Sequence, residues 1–423
     1  MSVDKKSAKT YKFRICIGFF IIALCGLYTV YLFKVSGTLS YIQYMGTEIA
    51  SVILSHNPKL IADIQSKYHA VPKQDQKVSI LLVPGHEPNF GGTEFRDIKE
   101  RDITLELAHA LQLLLQGNPR YQTIVTRDTG SWNTNFATYF KNNWDDIALW
   151  RDASKEETIR LMSISSSTIV KPAVSHNSAP NDVSVRLYGI TKWANENDID
   201  IVIHIHFNDE TVHKAETPGE YSGFAIYVPS SHYGNSPTSK AIGNSILHRM
   251  QKFDPISNLK GETTGLVDEP ELIAIGANNT ADAASILIEY GYIYEPQLLN
   301  PNTRGIAIKD LAFQTYLGLQ DFFNDTNSAL LISPFETSVL PYTWSTLHLN
   351  QNVNANSVYA LQTALIADGV YPPHGKTKNE CPRTGIVGDC TRTALMIFQQ
   401  KYRVTGENGV VGPKTLSILN EKY

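Results

Sequence analysis

Apolar and polar positions along the chain fall into two rhythms that alternate. In "DIDIVIHIHFND" (198–209), Ile201, Ile203 and Ile205 alternate with Val202, His204 and His206. The spacing predicts a β-strand with one aliphatic face and another that ends in two histidines. "KVSILLVPG" reads as a short buried strand closed by a Pro-Gly turn, and "QTIVTRD", "GFAIYVP" and "SILIEYGY" read as further strands. Between them the period lengthens. "ERDITLELAHALQLLLQGNP" places Ile103, Leu107, Leu111, Leu114 and Leu115 on one helical face, with acids in its first turn and a Gly-Asn-Pro stop. Helices are also predicted from Val185 to Asn197, over "SKAIGNSILHRMQKF" and near "IAIKDLAFQTYLGLQDFF". Such alternation implies an α/β fold, a twisted, mostly parallel or mixed sheet flanked by helices on both faces.

Interruptions of the pattern suggest boundaries. Residues 34–76 read as a stalk or linker broken at Pro58, and 77–324 as the main α/β domain. Within it, about 130–180 loses the rhythm and reads as an insertion, either a lid over a site or a surface excursion. A Pro- and Ser-bearing linker is expected at 325–350. Residues 351–423 would form a three-helix module around Leu361, Leu365, Ala394, Leu395, Phe398, Leu416 and Leu419.

The N-terminus changes the picture further. Residues 15–33, "ICIGFFIIALCGLYTVYLF", carry no charge, and as a helix they would cover a hydrocarbon core of about 30 Å. The tail at 1–14 holds Lys5, Lys6, Lys9, Lys12 and Arg14, so the expected orientation keeps it in the cytoplasm and exports the rest. A single-pass membrane protein is the expectation; secretion after signal cleavage is the alternative. Net charge is −4, which argues against a nucleic-acid partner. Cys381 and Cys390 stand nine residues apart in the exported part. A disulfide between them is expected, contributing about 2–3 kcal/mol. A zinc pair is disfavoured because no second Cys or His pair accompanies them.

Candidate chemistry gathers where strands end. His86 follows the first strand, Glu100 opens the next helix and His206 ends the third strand. In α/β sheets these points converge on one edge, where a His, Glu, His set would bind zinc with one position open. The spacing alone is not diagnostic, since no H-E-x-x-H signature is present. Glu289 terminates the apolar run "ASILIE": beside a metal it would be a general base, elsewhere a glutamate emerging into solvent.

Four separated motifs resemble the zinc-dependent N-acetylmuramoyl-L-alanine amidases of the amidase 3 family. They are Pro84-Gly85-His86, Glu100-Arg101-Asp102, Ile205-His206-Phe207-Asn208 and Glu289-Tyr290-Gly291-Tyr292, with an Arg before "LYGITKWANENDID". The resemblance implies that His86, Glu100 and His206 bind Zn2+ and that Glu289 is the catalytic base. His204 lies where the family often has Ser; it, Glu87 and Asn208 are candidates to support the ligands from behind. Glu87 and Pro88 replace the family's glycines, so Glu87 is also a competing carboxylate, and Glu94 a further candidate if the loop folds differently. The tail is similar to peptidoglycan-binding domain type 1 through Leu361-Gln362, Gly388 with Thr391, Phe398-Gln399, and Gly409, Gly412, Pro413 and Thr415. What the resemblance implies is zinc-dependent cleavage of the amide between N-acetylmuramic acid and L-alanine, with peptidoglycan as partner. A protein activator joins the partners if 130–180 is a lid. The alternatives are a zinc peptidase acting on wall peptides and a non-catalytic wall-binding or activator protein.

Overall fold

A computed structural model describes residues 57–70, 77–164, 179–210, 216–325, 333–345 and 355–423, without the side chains of 161–164. The expected tail at 1–14, the apolar span at 15–33 and residues 165–178 lie outside the described residues. Among the described residues, no helix is long and apolar enough to cross a membrane.

Ten strands and nine principal helices organise the described chain. The strands are β1 (Val78–Pro84), β2 (Glu94–Phe95), β3 (Ile98–Lys99), β4 (Tyr121–Val125), β5 (Arg127–Asp128), β6 (Ser131–Trp132), β7 (Ile201–Asn208), β8 (Ala225–Pro229), β9 (Leu266–Glu269) and β10 (Ala284–Tyr292). The helices are α1 (Ile61–His69), α2 (Glu100–Gln116), α3 (Thr134–Ile164), α4 (Asn181–Glu196), α5 (Ser236–Met250), α6 (Pro301–Phe322), α7 (Ala355–Ala367), α8 (Asp389–Lys401) and α9 (Pro413–Lys422). Six strands make one sheet in the order β4-β1-β7-β10-β8-β9. The first four run parallel, β8 is antiparallel to β10, and β9 is parallel to β8. The sheet is therefore mixed. The period of two sends Ile80, Leu82, Ile201, Ile203, Ile205, Ile286 and Ile288 into one core with α2, α5 and α6. Leu81, Val83 and Val202 face the other way, against α3 and α4.

Three expected boundaries look different in three dimensions. Within the expected stalk, α1 buries Ile64 and Tyr68 in the main core, and Tyr68 stacks on Phe323 at 4.1 Å. Its apolar stripe finds a partner more than two hundred residues away, so this stretch is part of the domain. Within the expected insertion, α3 kinks at Asn143 and buries Phe136, Phe140 and Ile147 against α4 and the sheet. This first part of the helix is a layer of the sandwich. Within the expected linker, Val339, Leu340 and Trp344 are buried in the same cluster as the C-terminal helices.

The C-terminal module does not hang free either. A bridge joins Cys381 and Cys390, with Cα atoms 5.9 Å apart. The loop it closes holds Arg383, which is fully buried against the α/β domain. Arg383 meets Asp310 of α6 at 2.8 Å and Asp254 at 3.1 Å, and its guanidinium lies 4.6 Å from the Tyr359 ring. Asn379, two residues before the bridge, donates to the Ile256 carbonyl at 2.8 Å.

Candidate active site

The C-terminal ends of β1, β7 and β10 lie side by side, because Pro84 pairs with Ile205 and His206 with Glu289. After β1 the chain turns at once: the Gly85 N–H donates to the Ile205 carbonyl at 2.8 Å, and His86 adopts a φ of +70°. Gly85 is required there. A Cβ at that position would stand 2.5 Å from Cε1 of His206. Gly92 has a φ of +80° and would place a Cβ 2.7 Å from Cδ2 of His86. These two glycines let backbone press against both imidazole rings.

Glu100 is held from several sides. Its N–H donates to the Thr93 carbonyl at 2.9 Å, while its Oε2 accepts from the Thr93 N–H at 3.0 Å and its Oε1 from the Phe207 N–H at 3.1 Å. The same carboxylate meets His86 Nε2 at 2.7 Å and His206 Nδ1 at 3.0 Å. Ligand atoms of His86, Glu100 and His206 all lie within 4.8 Å of one another. Burial pushes the Glu100 carboxyl up, but hydrogen bonds with His206 and His86 outweigh it and hold the group well below the carboxylate range. His206 moves down, chiefly through burial.

These residues fit a zinc ion. The His86 Nε2 atom is buried, and its close approach to Glu100 lacks hydrogen-bond geometry. Two imidazole nitrogens and one carboxylate oxygen meeting around such an orphaned atom are the donor set of a three-ligand zinc site with a position left for substrate or water.

Glu289 stands beside this cluster on β10, with no hydrogen-bond partner at Oε2. Burial pushes its carboxyl well above the usual range, and the charges of Glu100 and Glu262 push it further. The other candidates take supporting places. Glu87 is not among the gathered ligands: it is buried and pairs with Arg186 at 2.7 Å, and Arg186 also holds Asp182. Glu94 is exposed and pairs with Arg101 at 2.7 Å. His204 shares the sheet face of His206 but is buried deeper, where desolvation, aided by the charge of His206, pushes it down to about 3. Asn208 donates to Glu262 at 3.2 Å.

Two residues escaped the sequence reading. Arg127, just past β4, donates to the carbonyls of Gly85 at 2.6 Å, Arg101 at 2.8 Å and Pro84 at 3.2 Å. It clamps the His86 turn to the start of α2. Its only signal was an arginine directly after an apolar strand. Glu262 is fully buried and lies in the polar run "LKGETTG", which gives no sign of burial.

Comparison with known proteins agrees with the motifs. Residues 171–312 match a family described as N-acetylmuramoyl-L-alanine amidase, a range that holds His206 and Glu289 but begins after His86 and Glu100. Residues 354–419 match a putative peptidoglycan binding domain. A probable N-acetylmuramoyl-L-alanine amidase AmiB of Haemophilus influenzae is 23% identical over 265 residues, which is 60% of this chain and 54% of that protein. The chain thus spans about half the length of that curated relative. Among solved structures, the amidase Ami1 of Mycobacterium smegmatis aligns at 15% identity with a TM-score of 0.37, covering 58% of this chain and 97% of that one. The CwlD amidase of Clostridioides difficile, solved in complex with the GerS lipoprotein, aligns at 14% and 0.37, covering 59% and 99%. At those scores the structural likeness carries no weight for the site. The chain is similar to N-acetylmuramoyl-L-alanine amidases through 171–312 and to putative peptidoglycan binding domains through 354–419, as its motifs imply.

Proposed function

We propose that the protein hydrolyses the amide between the lactyl group of N-acetylmuramic acid and L-alanine in peptidoglycan, with zinc held by His86, Glu100 and His206. The observation that carries this reading is the convergence of those three ligand atoms within 4.8 Å, with Glu289 in register beside His206. When bound, zinc would supply Lewis acidity at the scissile carbonyl and make a water acidic near neutral pH. Glu289 takes the proton of the attacking water on its carboxylate. It then delivers that proton to the departing amine of L-alanine, leaving a lactyl carboxylate and a stem peptide with a free N-terminus. A carboxylate raised by burial suits both halves of this exchange. Arg127 and the Thr93 and Phe207 amides keep the ligands in place throughout.

The C-terminal module would hold the chain on peptidoglycan, and the span at 15–33 would anchor it in the cell membrane with the remainder outside the cytoplasm. The Cys381–Cys390 bridge supports an oxidising compartment. The peptidase alternative drew on the altered Glu87-Pro88 loop, in which Glu87 pairs with Arg186 instead of joining the ligands. The test is mass analysis of products from purified peptidoglycan, with zinc or with chelator. Stem peptides beginning with L-alanine, released only with zinc, support the proposal; cuts between other residues would move the enzyme to the peptidases.

A further inference from the structure

Glu262 is a buried carboxylate at the catalytic edge for which the proposed chemistry has no use. Its Oε1 accepts from the Tyr227 hydroxyl and from Asn208 Nδ2 at 3.2 Å, and its Oε2 from the Tyr292 hydroxyl at 3.5 Å. These donors come from β8, β7 and β10, so a single side chain gathers three strands. All three donors are neutral, which makes Glu262 an expensive way to crosslink a sheet. An apolar filler would cost the fold less.

Position explains what the carboxyl group is for. Tyr227 pairs with Leu287 and Ala225 pairs with Glu289 across the antiparallel β8–β10 ladder. Tyr227 is therefore the diagonal neighbour of Glu289 on the same face, within reach of a long side chain. Glu289 nevertheless keeps Oε2 free of any hydrogen bond, and the Tyr227 hydroxyl turns to Glu262 instead.

We propose that Glu262 is a positioning residue that captures the Tyr227 and Tyr292 hydroxyls and so keeps Oε2 of Glu289 undonated and free to meet water. A hydroxyl bonded to that oxygen would occupy the lone pair that has to meet the water. Only the activity readout of this inference rests on the proposed amidase function.

The test compares Glu262→Ala with Glu262→Ala combined with Tyr227→Phe, in the full chain loaded with zinc. The single variant is expected to lose about tenfold or more in kcat, with KM and bound zinc unchanged. Removing the Tyr227 hydroxyl as well should recover most of that loss, which no purely structural role of Glu262 would produce. A double variant no faster than the single, or a single variant at full rate, overturns the proposal. If Glu262→Ala does not fold, Glu262→Leu, which fills the volume and offers no acceptor, provides the same comparison with and without Tyr227→Phe. A crystal structure of the single variant decides the matter without substrate: the Tyr227 hydroxyl should move to within about 3 Å of a Glu289 oxygen, and its staying away would refute the inference. If the wild type frees no stem peptide, the amidase reading falls, and the crystal comparison still judges Glu262.

Discussion

Around Arg383, the chain buries Asp254 and Asp310 and supplies their cation itself. At the candidate site it gathers Glu100, Glu262 and Glu289 with imidazoles and hydroxyls, while Arg127 directs its guanidinium to backbone carbonyls. The first cluster pairs its carboxylates with a cation of the chain's own and holds two parts of the molecule together. The second brings two imidazoles and a carboxylate together around a position that a divalent cation would fill. Buried charge left for something outside the chain to complete marks a site, whereas charge completed from within marks a scaffold.

Several experiments would break or sharpen this contrast. The largest effect is expected from Glu289→Gln, which should lower stem-peptide release by about 10²–10⁴-fold. Zinc content should stay unchanged and the thermal midpoint should not fall; a variant with normal turnover would remove Glu289 from the chemistry. Arg383→Ala should do the opposite. It leaves Asp310 and Asp254 unpaired, at a cost of about 3–5 kcal/mol in denaturant unfolding, with zinc affinity unaltered. Zinc added to the metal-free chain should raise stability by about 2.7 kcal/mol at a hundredfold excess over its Kd, and His206→Ala should abolish that gain. Followed by calorimetry, a gain that survives in His206→Ala would place the metal elsewhere. Glu94→Ala is the smallest case, since its pair with Arg101 is exposed and worth about 0–1 kcal/mol. Normal zinc binding in that variant would confirm that Glu94 is no ligand.

What could be read from the sequence followed the reach of local patterns. Alternation along β7 and β10 located His206 and Glu289, and an acid at a helix start located Glu100, because each sits at the end of a strongly periodic element. The mixed order of the sheet was left open, since strand pairing depends on partners distant in the chain. The docking of α1 was missed for the same reason: Ile64 and Tyr68 show a stripe, but Phe323 is not visible from 61–69. Phe136 and Phe140 were passed over as insertion because their partners lie on α4 and the sheet. Glu262 and Arg383 were illegible in a stronger sense. Both are charged residues in turn-rich stretches, where exposure is the ordinary expectation, and only tertiary packing buries them.

The Arg383 contact also bears on how a grip on the wall relates to a cut in it. A module on a loose tether samples many offsets from its anchor point, and its benefit is a raised local concentration. Here Arg383, Asn379 and the buried Trp344 segment fasten the module to the α/β domain. On the proposed function, grip and cut would stand at one fixed offset, a ruler rather than a leash. Bonds on a bound glycan strand would be opened at a set distance from each point of attachment, and the spacing of cuts along purified strands would measure that distance.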